Sequence, residues 1–335
     1  MYYPPAVNTF RAFALPFLAC MLIPHGAPAK DAFVDLAFVG DVMVAEEPGA
    51  LIEAGNDPFA GLAKLLDAKR LRVANLECVV AMGGVAEIKP FTFRAHPRTI
   101  AAIQKYFDGV SVANNHSGDF GKQAFAEQLG LLDAAHLPYF GGGRDLAQAH
   151  VPWVAERGGL RIAFLGYVEF KPRSFEAGAA IPGVAWSGED EFVLRDIRDA
   201  RAKYHADLVI PFMHWGWEDE GTPSERQRMF ARRMLDAGAD MVVGSHPHVT
   251  QGAEIYRGKP IIYSLGNFLF NGFDTEATTT GWLLEARLGK SGVKDWRTRV
   301  VRLASNGVPH LDPLASSPCG DSRSDEVRQC KNGGK

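Results

Sequence analysis

Short apolar runs, each ended by polar residues or glycine, recur along most of this chain. They are Val34 to Val39, Leu71 to Ala74, Gly109 to Ala113, Leu208 to Met213, Met241 to Val243 and Pro260 to Tyr263. Each is too short for a helix and rich in Val, Ile or Phe, which predicts buried strands. Between them the period changes to that of a helix. Phe59, Leu62 and Leu66 share a face, as do Phe125, Leu129 and Leu132, and Val193, Ile197, Ala200 and Tyr204. Thr222-Pro223-Ser224-Glu225 reads as a capping box with proline at the first helical position, opening a helix that ends near Gly238. Alternating strands and helices predict an α/β fold with a largely parallel sheet, whose functional groups gather beyond the carboxyl ends of the strands.

From Gly281 the pattern alternates with period two. Trp282 to Leu288 and Trp296 to Leu303, separated by Gly289-Lys290-Ser291-Gly292, predict an antiparallel hairpin. After Ala304 no periodicity remains, and residues 304–335 are expected to be a mobile tail. The first residues differ from everything after them. Ala12 to Pro24 is apolar but short and broken by Pro16 and Pro24, and Ala27-Pro28-Ala29 supplies a small-residue cleavage pattern. Residues 1–29 are expected to be a signal peptide and 33–303 a single catalytic domain. Export to the periplasm or the outer face of the cell membrane follows, with lipid modification at Cys20 as the alternative. Removing that segment leaves Cys78, Cys319 and Cys330, of which the last two are the expected disulfide and Cys78 a small buried thiol.

Composition narrows the function. With 335 residues, 47% of them hydrophobic, and a net charge of -3, the chain can bury a large core and shows no clustered basic face, which argues against nucleic acid. The predicted strand ends deliver Asp41, Asn75-Leu76-Glu77, Asn114-Asn115-His116, His214 and His246-Pro247-His248. Carboxylate, amide oxygen and imidazole together suit Mn, Fe or Zn, and a carboxylate can bridge two ions. Singly, each residue has a structural alternative: a turn-capping Asp41, a turn at Asn114-Asn115, a packed His214. Five such groups at successive strand ends point instead to one metal site.

These motifs resemble the CapA family of poly-γ-glutamate capsule biosynthesis proteins. The resemblance runs from about Val34 to Phe270 through Gly-Asp-Val-Met (40 to 43), Asn-Leu-Glu (75 to 77), Phe-Arg (93 to 94), Ala-Asn-Asn-His-Ser-Gly-Asp-Phe-Gly (113 to 121), Gly-Gly-Gly-Arg (141 to 144), His-Trp-Gly (214 to 216), Gly-Ser-His-Pro-His (244 to 248) and Tyr-Ser-Leu-Gly-Asn-Phe (263 to 268). That family is similar to calcineurin-like metallophosphoesterases, which implies a two-sheet β sandwich flanked by helices. It also implies Asp41 and His248 on one divalent ion, Asn115, His214 and His246 on another, and Glu77 bridging. His116 would protonate or stabilise the leaving group, with Asp119 orienting it or capping the next helix. Arg94 and Arg144 are candidate anion binders, and Asn267 a candidate substrate or loop residue. Met43 stands where a metal ligand is usual in the phosphoesterases, and Ser117 where an acidic residue is. Three readings compete: a metal-dependent hydrolase of a phosphoester or related bond, a non-hydrolytic component of a membrane-bound capsule complex handling an anionic polymer, and a small-ligand binding module.

Overall fold

The computed structural model describes residues 1–2, 32–170 and 173–333. Beyond residues 1–2 the expected signal peptide lies outside the described residues, and no described helix is long and apolar enough to cross a membrane. From Asp31 onward the chain forms one unit.

Two large sheets make up that unit. The first has ten strands. At its centre Phe33–Val42 runs parallel to Leu71–Leu76, which continues to Gly109–Ser111 and Tyr139–Phe140; on its other side it pairs antiparallel with Thr280–Gly289. The second sheet has six strands, in which Leu160–Val168, Leu208–His214, Val242–Ser245 and Lys259–Ile262 run parallel. Phe38, Val73, Phe164, Phe212, Val243 and Leu284 form one buried cluster drawn from both sheets. Phe38 meets Phe212 edge-on at 4.6 Å between centroids, so the sheets pack face to face. Helix Gly121–Ala134 covers the outer face of the first sheet with Phe125, Leu129 and Leu132. Helices Asp190–Ala202 and Glu225–Asp236 cover that of the second with Val193, Ile197, Phe230 and Met234. The result is the expected α/β sandwich of two sheets between helices.

Local details depart from expectation in three places. The helix expected to start with proline instead begins at Glu225: Ser224, in extended backbone, is the cap, and its box partner is Gln227 three residues on, with Pro223 ahead of the cap. Phe59, Leu62 and Leu66 are buried, but only Ala60–Leu62 is helical, as a single 3-10 turn. The segment past Ala304, expected to be mobile, instead forms strands Pro309–Leu311, Ser316–Asp321 and Arg328–Lys331 on the edge of the first sheet. Hydrophobic period carries no trace of what orders it. The Cys319–Cys330 disulfide joins the last two strands, and the buried Asn332 amide accepts from Val300 N and donates to Val300 O. Closing a loop of 11 residues restricts the unfolded chain, so changing both cysteines to serine will lower stability by about 3 kcal/mol, read as a reduced urea midpoint. Cys78, by contrast, is fully buried and its thiol is pushed up to about 12 by burial, which fits a small buried thiol.

Candidate metal centre

The carboxyl ends of the parallel strands of both sheets converge. Asp41 lies near the end of Phe33–Val42, where Gly40 lets the strand press on its neighbour: a Cβ there would stand 1.9 Å from Gly266 O. Glu77 follows Leu71–Leu76, and Asn115 and His116 follow Gly109–Ser111. His214 ends the Leu208–His214 strand, and His246 and His248 follow Val242–Ser245.

These side chains form two overlapping triads, Glu77 with His214 and His246, and Glu77 with Asp41 and His248; in each, potential ligand atoms lie within 4.8 Å of one another. Glu77 belongs to both. Asn115 joins the first, its Oδ1 2.7 Å from His214 Nε2. The chemistry of the donors tests whether a cation fits. Glu77 Oε1 and both ring nitrogens of His246 are buried without a hydrogen-bond partner. Glu77 Oε1 also stands 3.6 Å from His214 Nε2 and 3.9 Å from His248 Nε2. Lone pairs facing lone pairs in a dry site are costly unless something positive sits between them. Burial holds His214 and His246 well below the usual imidazole range, in the neutral form that ligates, while burial and the neighbouring Asp41 carboxylate push Glu77 well up. Divalent ions fit this donor set.

Around the donors lies a layer of orienting groups that sequence patterns did not single out. Asn75 Nδ2 donates to Asp41 Oδ1 at 2.8 Å and Glu77 Oε2 at 3.1 Å, and its Oδ1 accepts from Asn114. The signal was available: Asn75 and Glu77 are two apart, hence on one side of an extended chain. Asn267, a candidate substrate or loop residue, is fully buried; its amide donates to His248 O and Thr278 O, and its Oδ1 lies 2.8 Å from His248 Nδ1. Nδ1 must therefore carry the proton, leaving Nε2 free to ligate. Replacing Asn267 by alanine will weaken binding of an ion at the Asp41–Glu77–His248 triad by roughly 10–100-fold, measurable by metal titration.

His116 stands apart from the two triads. Its Nδ1 is 2.7 Å from Asp119 Oδ2, and its ring lies against Phe93 at 4.5 Å. Asp119 does not cap the following helix; it is completely buried, accepts from Phe93 N and pairs with Lys89, whose ammonium also donates to Asn115 O. Lys89, in an irregular loop, had no sequence signal. The candidate anion binders Arg94 and Arg144 lie elsewhere. Arg94 lies over the Phe120 ring and donates to Gly83 O and Gly84 O, while Arg144 pairs with Asp133 on the surface. Among the described residues, neither touches the triads or His116. Met43 is buried and its sulfur accepts from Ala45 N, and Ser117 donates to Val112 O, so both serve the backbone.

Residues 35–272 match the family described as bacterial capsule synthesis protein PGA_cap. This chain belongs to that family. Over 327 residues it is 31% identical to the capsule biosynthesis protein CapA of Bacillus anthracis, covering 90% of this chain and 74% of that one. Over 187 residues it is 38% identical to the PGA biosynthesis protein CapA of Bacillus subtilis, covering 56% of this chain and 48% of the relative. This chain thus spans about half the length of the Bacillus subtilis protein. Among solved structures, a hypothetical protein from Thermus thermophilus overlaps 80% of this chain and 98% of its own at 17% identity, with a TM-score of 0.50. That similarity concerns the fold.

Proposed function

We propose that this PGA_cap family member is an exported, metal-dependent hydrolase acting on a phosphoester or related ester or amide bond in capsule or poly-γ-glutamate biosynthesis. The observation that carries the reading is His246: a fully buried imidazole whose two nitrogens have no partner and which shares a triad with Glu77 and His214. Asn115, His214 and His246 would hold one ion, Asp41 and His248 the other, and Glu77 both. When bound, Mn, Fe or Zn would supply a hydroxide nucleophile at neutral pH and neutralise charge on an ester's oxygens.

The chain's own groups do the rest. His116, held at Nδ1 by Asp119, presents Nε2 to the cleft as proton donor to a leaving oxygen. Phe93, Phe170 and Phe270 pack on His116, His246 and His248 and keep bulk water from the donors. The Cys319–Cys330 bond supports export to an oxidising compartment, either periplasmic or on the outer face of the membrane. An anionic polymer is the natural partner given the family's role.

A second reading, a non-hydrolytic polymer-handling component of a capsule complex, draws on Met43, whose buried thioether leaves the Asp41–His248 ion with three carboxylate and imidazole residues only. Metal analysis of purified protein together with a phosphatase panel decides between them. The hydrolase reading expects at least about one equivalent of metal and turnover in the wild type, both lost in His246→Ala. Bound metal without turnover of any ester favours the handling role.

A further inference from the structure

Two clefts open from the metal centre, and only one of them carries basic groups. One, of about 680 Å³, runs from Asn115 along Phe170, Phe175 and Trp186 and carries Lys89, Lys122 and Arg173 together with Glu87, Glu176 and Glu218. The other, of about 410 Å³, lies beside His248. Its aromatic lining is Phe91, Phe93, Phe270 and Phe273; its charged groups, apart from the two histidines, are Glu46, Glu218 and Asp219, and no Lys or Arg is among its lining residues. Pro90, Phe91, His116 and Glu218 line both. His116 therefore stands at the junction, with room for a substituent on either side of it.

The rings of the second cleft meet at angles. Phe93 and Phe270 lie 5.4 Å apart at 85°, Phe270 and Phe273 5.2 Å apart at 62°, and Phe273 is 4.9 Å from the His248 ring. All four rings line the cleft, and aromatic faces carry negative potential that attracts cations. Three carboxylates strengthen that preference and repel anions. The geometry points, on the reading that the site is an ester hydrolase, to a phosphodiester substrate whose His248-side substituent ends in an organic cation of the quaternary ammonium type. A monoester leaves one cleft unfilled.

In the reaction the oxygen of water bonds to phosphorus and the P–O bond to one substituent breaks. One water proton ends on the released alcohol and the other passes to solvent, leaving a monoester.

The test compares p-nitrophenyl phosphorylcholine, bis-p-nitrophenyl phosphate and p-nitrophenyl phosphate on the metal-loaded full chain. The expected result is a kcat/KM for the choline ester at least about tenfold above the other two, a preference over the bis ester that shrinks about tenfold in Phe273→Ala. Equal or better turnover of the monoester overturns the inference and leaves the hydrolase reading intact. Cleavage of none of the three counts against the hydrolase reading, and the cleft is then judged by calorimetry with tetramethylammonium. Binding at millimolar concentration that weakens in Phe273→Ala supports the cationic arm, and absence of binding at tens of millimolar overturns it.

Discussion

Glu77→Gln will remove both ions together and invert the order of stability between chelator and metal. Glu77 is the residue common to the two triads, fully buried, with one carboxylate oxygen held by Asn75 and the other without a partner. Loss of a shared anionic ligand exceeds the roughly 10–100-fold weakening expected when an outer partner is lost, so metal content by mass spectrometry will fall at both positions. In chelator the order of stability changes. There the wild type must bury two neighbouring carboxyl groups, Asp41 and Glu77, with no cation between them, and glutamine relieves the conflict; the variant will melt at or above the wild type. At a metal concentration of about one hundred times Kd the wild type gains about 2.7 kcal/mol and overtakes it. Equal metal-dependent gains in the two proteins would refute the bridging role.

His116→Ala will behave in the opposite way, leaving metal content unchanged while turnover falls by about 10²–10⁴. The imidazole belongs to neither triad and reaches the junction of the two clefts. Asp119→Asn will give a smaller loss, because it keeps a polar group near Nδ1 but removes the charge that both His116 and Lys89 use. A fall in bound metal equal to the fall in turnover would make His116 a metal ligand instead.

Much of this architecture was legible because its strands are buried on both faces and so read as continuous apolar runs. Val34 to Val39 became Phe33–Val42, Leu208 to Met213 became Leu208–His214, and the hairpin appears as Thr280–Gly289 and Gly292–Leu303. The candidate ligand set was legible for the same reason, since each residue sits where an apolar run stops. What escaped notice depends on contacts between segments distant in sequence. Leu160–Val168 runs through the second sheet, yet its Arg161 and Gly166 interrupt the apolar pattern. Asn267 looked available to substrate because nothing in Gly-Asn-Phe announces that His248, 19 residues earlier, would claim its carbonyl. Arg94 and Arg144 looked like anion binders because side-chain chemistry is visible in a sequence and the partner that occupies it is not.

His246 and His248, on either side of Pro247, have φ values of 100° and 58°, whereas His214 ends an extended strand. Positive φ is disfavoured for most side chains and worst for β-branched ones, with Asn, Asp and His among the exceptions. The three histidines will therefore differ in mutational tolerance even among replacements that bind no metal. A saturation scan read by folding alone will favour glycine and asparagine at 246 and 248 and accept valine or threonine at 214. The backbone limits substitutions at the His-Pro-His turn before coordination chemistry does.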